Sequence, residues 1–522
     1  MSKRITNVKK SGAAKKALGI IAAILAFVIV GGVVASYSVI NSGIIERNQV
    51  AMKSENFEVS SAMMNYYFNT LYQNYSGTYS SLGLDTSKPL TEQKYTEDQT
   101  WHDFFMNLAK SNVRQLLVLA EAAKAEGFTL ESDESHDHSA DETLDAIKTV
   151  AATYGVTLDY YLENVYGKGV NEKVFRECYE LSEIASHYSE HMTEGYKFES
   201  ADWDKYYKEN KDTFNKVDYL SFTFKVEATK VDKNATDDEK AAADALDKAE
   251  AKRLEGLAGE LAAVKDAEAF KTYVESYLRT DLYKDKTEEE LKKEKVDIDE
   301  KVEDCLTEGA TNSTTTDLNK WLFDEKTVAY ATYQEKSKDG LSFTVAMILP
   351  NENSDLEDDC LYRDTYKLKD IRYIPFLNSS YKNSAKDAKD AAEDVFNKYK
   401  DKPTEDKFAA LAASSEDGGY GDGTYEGGLV EGVDKGAIGD EVDAWLFDSA
   451  RKSGDCELIE VDGKGTYLVY YVGENDVKWQ YLANNYLVDD SYTEEYGKLE
   501  DKYTVKTLSK GLDLVAGVVA QK

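Results

Sequence analysis

The chain has 522 residues, enough for about three or four folded units at roughly 100 to 200 residues each. Its 98 acidic and 63 basic residues give a formal charge of -35, which leaves no broad basic surface for counterion release and excludes nucleic acid as a partner. With 42% hydrophobic residues, 37 tyrosines and only 4 prolines, it is too aromatic and too poor in proline to be mainly disordered.

Residues 1–17 form a basic tail with Lys3, Arg4, Lys9, Lys10, Lys15 and Lys16, and no acidic residue occurs before Glu46. An uncharged run from Leu18 to Ile40 follows. At about 1.5 Å per residue it is long enough to span a bilayer. It also exceeds the apolar core of a cleavable signal peptide, and no A-x-A-like cleavage site is evident. The sequence therefore predicts a transmembrane helix over 18–40, with the tail cytoplasmic and residues 41–522 extracytoplasmic, as a single-pass protein of the cell membrane. Without the tail charges the remainder holds 57 basic against 98 acidic residues, which argues against a polyanionic partner.

Residues 48–215 read as helical. Met63, Met64, Tyr67, Phe68, Leu71 and Tyr72 recur at steps of three and four, as do Trp101, Phe105, Leu108, Leu116, Leu119 and Ala123, with Gly127 closing that second helix. These are core stripes. The segment Glu131 to Glu142 is a polar loop that carries His136 and His138, and further helices follow around Tyr160 to Tyr166 and Asn171 to Met192. His187 and His191 stand four apart near Glu183 and Glu190, but the order HYSEH is not the H-E-x-x-H of a zinc helix, and no metal or cofactor is expected. Cys178, Cys305, Cys360 and Cys456 are widely spaced and lack C-x-x-C. Two disulfides and free thiols are both open to them.

At Val217 the pattern turns to strand (VDYLSFTFKV), followed by a charged helix with Leu254, Leu257, Leu261 and Val264 on one face, a short helix from Phe270, and a charge-rich insertion near Asp285 to Glu308. The motif LNKWLF at Leu318 to Phe323 then leads to two strands, TVAYATYQ and LSFTVAMIL. The same order recurs. IRYIPF (Ile371 to Phe376) is a strand, Ala385 to Tyr399 a helix with Ser384 as its expected N-cap, Phe408 starts a second helix, and a glycine-rich loop from Gly418 leads to VDAWLF, CELIEV and TYLVYYV. The loop lacks the Gly-Lys-Ser/Thr ending of a phosphate loop. WLFD stands at Trp321 to Asp324 and again at Trp445 to Asp448, 124 residues on, each time before a strand pair. Residues 216–350 and 368–474 are therefore read as an internal duplication. The last stretch, 475–522, is expected to be helical.

The second repeat resembles the parvulin domain of extracytoplasmic foldases, the PrsA/SurA-type peptidyl-prolyl isomerases. FAALAASSED (Phe408 to Asp417) is similar to the family's short helix and the acidic residue after it, EGGL (Glu426 to Leu429) to its GGDLG turn, GAIGDEVDAWLF (Gly436 to Phe447) to its GQM-x-x-x-F helix, and GTYLVYYV (Gly465 to Val472) to its closing strand. The resemblance implies an α+β chain. It would comprise the transmembrane helix, a helical SurA-N-like chaperone domain over 48–215, two tandem parvulin-like domains, each a small antiparallel sheet with helices, and a helical C-terminal segment.

It also implies a site. Asp417 takes the position of the family's catalytic cysteine or aspartate, and Ile438 and Val442 take those of its methionine and phenylalanine. Tyr373 and Tyr467 stand where parvulins place two histidines, with Tyr219 and Phe343 as counterparts in the first repeat. No histidine follows His191, so that departure holds whatever the register. Tyrosine hydroxyls can hydrogen-bond in place of imidazoles, and tyrosines also stack in sheet cores. Asp417 can equally cap the turn before the glycines. Pro375 inside a strand removes a ladder donor and calls for an edge or a bulge. The expected function is a folding factor for unfolded or newly exported polypeptides, with isomerase-like modules that are weakly active or inactive; the alternative is a non-catalytic envelope scaffold for one folded partner.

Overall fold

A computed structural model describes residues 43–130, 140–313, 315–324, 326–351, 360–414 and 426–518. The transmembrane helix expected over 18–40 lies outside these residues. Among the described residues no helix is long and apolar enough to cross a membrane. The fold class is accordingly corrected: the described residues are mixed helix and sheet, with no membrane-spanning helix among them. The longest described helices show why: one is interrupted by Asp103, Lys110, Arg114 and Glu121, and another is made largely of Ser, Asn, Gln and Tyr.

The described residues divide into two compact units, one built from those between 43 and 198 together with those of 367–476 and 484–518, the other from those of 199–366 and 477–483. The first unit opens with strands β1 (Val50–Lys53) and β2 (Glu58–Ser60), then helices α1 (Ser61–Ser80), α2 (Trp101–Glu126), α3 (Ala140–Thr153), α4 (Leu158–Tyr166) and α5 (Glu172–Glu194). Local chemistry sets their ends. The Ser60 hydroxyl accepts from Met63 N–H, Thr100 and Asp103 form a reciprocal capping box, Asn171 caps α5, and Gly127 ends α2 at a left-handed φ of 73°. The core joins Met64, Phe68, Trp101, Phe105, Leu117 and Phe175. Tyr66 packs on Tyr166 and Phe175 with ring centroids 4.9 and 5.5 Å apart. All four cysteines are free, and three of them are buried.

The second unit holds α6 (Ser200–Glu209) and the first repeat: β3 (Lys216–Lys225), α7 (Asp237–Leu261), α8 (Ala267–Tyr277), β4 (Leu306–Thr311), α9 (Asp317–Leu322), β5 (Thr332–Lys336) and β6 (Ser342–Ile348). The second repeat, in the first unit, holds β7 (Lys367–Leu377), α10 (Ala385–Lys400), α11 (Glu405–Ala413), β8 (Leu429–Val433), α12 (Asp440–Leu446), β9 (Cys456–Val461) and β10 (Gly465–Val477). The strand orders are β4-β3-β6-β5 and β8-β7-β10-β9, so both sheets run second, first, fourth, third. Each contains a second strand, β4 or β8, that sequence periodicity does not reveal. Ser384 does not cap α10: it sits at φ 53° without a side-chain cap bond, and Asp387 instead accepts from the N–H and side chain of Asn383.

The duplication extends to single hydrogen bonds. Each first strand is bulged at an aspartate, Asp218 between Val217 and Tyr219 and Asp370 between Lys369 and Ile371. Asp218 Oδ1 accepts from Gly309 N–H at 2.7 Å, and Asp370 Oδ1 from Gly432 N–H at 2.9 Å. Both glycines have positive φ, 63° and 69°. An asparagine completes each set, Asn351 just after β6 and Asn475 near the end of β10: Asn351 donates to Asp218 at 3.4 Å, Asn475 to Asp370 at 2.5 Å. Each carboxylate therefore ties three chain segments together where the ladder is broken.

In the second unit, Asp364 accepts from Lys216 and Lys478 at 2.6 and 2.9 Å, and Arg363 lies 4.2 Å over the Tyr207 ring and 3.7 Å over that of Trp479. In the first unit the chain after helix α13 (Lys478–Lys502) returns to the opening strands: β11 (Lys506–Thr507) pairs antiparallel with β1. The C-terminal stretch is thus a helix, a two-residue strand, a helical turn at Ser509–Leu512 and an extended end, and not helical throughout.

Two predictions follow the energetics. Asp370→Ala leaves a backbone N–H and an amide without their acceptor in a buried site (Asp370 is 2% exposed) and should cost about 1–3 kcal/mol by urea unfolding. Asp370→Asn, which keeps one acceptor oxygen, should recover part of the loss. Burial pushes the phenols of Tyr66, Tyr67 and Tyr166 above the ordinary value of 10.0. Above that pH the unfolded chain loses protons that the folded chain retains, so stability falls as pH rises. Unfolding midpoints should be flat between about pH 7 and 9 and drop steeply from about pH 10; a midpoint unchanged at about pH 11 would contradict the burial of these rings.

Candidate functional site

Alternation along β7 and β10 gives the second sheet two different faces. On one, Ile374, Phe376, Leu468 and Tyr470 meet Ala388, Ala392 and Val395 of α10 and Phe408 and Leu411 of α11. On the other, Ile371, Tyr467, Val469 and Tyr471 are covered, among the described residues, by the two-turn helix α12 through Val442 and Leu446 and by Ile438 just before it. That helix is too short to cover the sheet. Tyr373, Val430, Ile438, Trp445 and Phe447 consequently remain half-buried around the buried centre.

Four of the five expected site residues meet on this second face. Tyr373 and Tyr467 stack, with centroids 6.4 Å apart and planes 25° from parallel, while Val442 is fully buried beneath and Ile438 half-buried beside them. Tyr467 is 7% exposed. Burial, and then the neighbouring Tyr373, push its phenol above the ordinary value, so it stays protonated at neutral pH. The fifth residue, Asp417, lies outside the described residues, as do His136 and His138 in the acidic loop.

Cations line the rim. Lys369 and Lys435 approach the Phe447 ring at 5.7 and 5.5 Å, and Arg451 lies 4.0 Å over Trp445 while its Nε donates to the Trp445 carbonyl at 3.1 Å. In a chain this acidic the clustering fixes aromatic orientation at the edge of an apolar patch. Sequence reading passed over Trp445 and Phe447 as parts of a repeated tetrapeptide. Their signal was available: two large aromatics on a short helix leave one ring at its edge.

The turn preceding β8 holds the patch in place. Gly427 and Gly428 have φ of 61° and 76°, and a Cβ on Gly428 would lie 2.8 Å from the Tyr373 carbonyl oxygen. Arg372 clasps the turn, donating to the Gly427 carbonyl at 3.0 Å and to Glu405 at 3.1 Å. Pro375 fits because β7 has passed the end of β8 there. Asn378 donates to Lys464 across the β10 side, so alternation directs the nitrogen of Pro375 to the vacant side.

The first repeat does not reproduce the pair. Tyr219 packs with Val217, Leu322 and Ile348, whereas Phe343 lies on the opposite face against Phe224 and the helices α7 and α8. The expectation that Tyr219 and Phe343 are joint counterparts of Tyr373 and Tyr467 is corrected: a strand places them on opposite faces. Further along the Tyr219 face come small polar residues, with the hydroxyls of Thr223 and Thr344 2.9 Å apart. The histidines of α5 diverge as well. His187 lies 3.5 Å from Glu183 and 3.9 Å from Glu190, while the His191 ring packs on Phe128 at 5.3 Å.

Gly428→Ala should lower stability by clearly more than Gly463→Ala. Both need positive φ, about 1 kcal/mol for a non-glycine residue, but only Gly428 also meets backbone. Equal shifts in urea midpoint would mean that the turn yields freely. Comparison with protein-family models and with curated proteins finds no match to this chain.

Proposed function

We propose that the protein is a folding factor that holds unfolded, newly exported polypeptides, and that the aromatic face of the second repeat is a client-binding surface. The observation that carries this reading is the half-buried group of Tyr373, Ile438, Trp445 and Phe447 over a firm floor of Tyr467 and Val442. Large rings offer contact area with few rotors to immobilise, which suits weak binding of many sequences. The strong negative charge keeps such a surface soluble. The matching strand order of the two repeats supports reading both as parvulin-like modules. The basic tail ahead of the uncharged run at 18–40 is what supports an extracytoplasmic location.

Catalysis asks for more. Rotation about an X-Pro bond meets a barrier of about 18–20 kcal/mol, and lowering it needs groups that favour the twisted amide over the planar one. Tyr467 offers a protonated hydroxyl, but it is nearly buried and stacked on Tyr373. The arrangement suits holding a chain better than turning a peptide bond, and isomerase activity is weak or absent in this reading.

The test pairs two assays on the purified protein. Aggregation of an unfolded client should be delayed, and Trp445→Ala should weaken client binding about tenfold, the loss of a rim aromatic worth more than about 1 kcal/mol. Prolyl-limited refolding should be little accelerated. The absence of both delay and acceleration would sink the proposal, and acceleration abolished by Tyr467→Phe would replace holding with isomerisation.

A further inference from the structure

Two asparagines four residues apart, Asn65 and Asn69, lie in the middle of α1 and are 1% and 0% exposed. Buried carboxamides need partners, and theirs are unusual. Asn65 Oδ1 accepts from Ala516 N–H at 3.0 Å, and Asn69 Oδ1 from Val518 N–H at 2.7 Å. Asn69 Nδ2 donates to the Ala516 carbonyl at 3.1 Å, and His102 Nε2 to the Val515 carbonyl at 3.1 Å. Farther back, the Ser61 hydroxyl donates to the Gly511 carbonyl at 2.8 Å, and Leu508 N–H to the Ala51 carbonyl at 2.8 Å.

These bonds address the main chain of residues 508–518, not its side chains. Side-chain selection is correspondingly coarse. Val515 is 4% exposed, Ala516 points to solvent, and a Cβ on Gly517 would come 2.8 Å from Leu90 and 3.3 Å from Phe68. The site therefore reads an extended strand with a β-branched residue, any residue, then glycine. Main-chain bonds supplying affinity while alternate pockets supply preference is how a groove accepts many peptides.

We propose that this groove of α1 and α2 is a second binding site for extended polypeptide, specific for segments of the Val-x-Gly type, and that residues 515–518, which follow a helical turn at Ser509–Leu512, are an internal strand-like segment which such segments displace. It rests on the reading of the protein as a polypeptide binder, but not on the aromatic face. The internal strand sets the apparent affinity, because a competitor binds only the fraction of molecules in which the groove is open.

The full chain is tested with a labelled peptide of the sequence DLVAGVV. Gly517→Trp, whose ring cannot pass Leu90 and Phe68, should expel the internal strand and bind the peptide at least about tenfold more tightly than the unmodified chain. Asn69→Leu in that background should abolish uptake. A Gly517→Trp chain that keeps its helical circular dichroism yet binds no better would overturn the proposal. Should that variant fail to fold, hydrogen exchange on the unmodified chain decides. The amides of Ala516 and Val518 should exchange about a hundredfold faster than those of α1 while α1 stays protected; exchange only together with α1 would make the segment part of the core and overturn the proposal. Peptide uptake without any delay of client aggregation would overturn the client reading and leave the groove standing.

Discussion

The helical part of the first unit depends on satisfying two buried carboxamides. An unpaired amide inside an apolar core costs about 1–3 kcal/mol, so Asn65 and Asn69 can persist only with partners on every side. The α4–α5 connection provides some: Asn65 donates to the Lys168 carbonyl and Asn69 to that of Tyr166, at 2.8 and 3.0 Å. Asn69 also donates to the Asn65 carbonyl at 2.9 Å, and the rest come from residues 516–518, some 450 positions away in sequence. Closing so large a loop is unfavourable in chain entropy, though the cost grows only logarithmically with its length. Without the returning strand, α1 would hold two polar groups in an apolar setting.

The duplicated sheet obeys a different constraint. Its preserved features serve the backbone: an aspartate at a bulge, a left-handed glycine opposite, an asparagine by the end of the last strand. Each answers the bulge in the first strand, the asparagine lying just after β6 in one repeat and near the end of β10 in the other. Side chains on the open face are free of that demand, and there the repeats part. One carries Tyr373 stacked on Tyr467, the other a pair of threonine hydroxyls. The first repeat keeps aromatics at the end of that face, with the Trp321 and Tyr333 rings 5.5 Å apart and Tyr219 and Phe323 half-buried, so the two faces differ in where their aromatic and polar groups stand.

What was legible in the sequence follows from the range of the interactions. Helices α1 and α2, the repeated WLFD and the clustering of Tyr373, Ile438, Val442 and Tyr467 were readable, because periodicity and a recurring motif are local. The strands β4 and β8 were not: five or six residues including glycine, inside a charged insertion or after a glycine-rich loop, carry no alternation that stands out. Ser384 looked like a cap because capping chemistry is common to Ser and Asn, and the choice depended on where Asp387 would reach. Asn65 and Asn69 were passed over for another reason. The stripe reading assumes one buried face, but residues 61–69 are buried on every side, and their partners arrive from the far end of the chain. The pairing of Tyr219 with Phe343 failed because one residue of register moves a side chain to the other face of a strand.

The presence of tyrosines where the resemblance to parvulins would place histidines bears on what the aromatic face can do. Imidazole changes charge between about pH 5 and 8, so a histidine pair would bring a variable charge to the centre of the sheet. Tyr467 does the opposite: its phenol is held protonated by burial and by the ring beside it. The floor of the patch is then neutral throughout the pH range in which proteins are exported and fold, and its strength comes from area and stacking. The charges that surround it, Lys369, Lys435 and Arg451, are engaged with aromatic faces. A surface so arranged gains little from any particular charge on its ligand. If it binds polypeptide as proposed, it would favour unfolded over folded chains, since only the latter bury the apolar side chains it could meet.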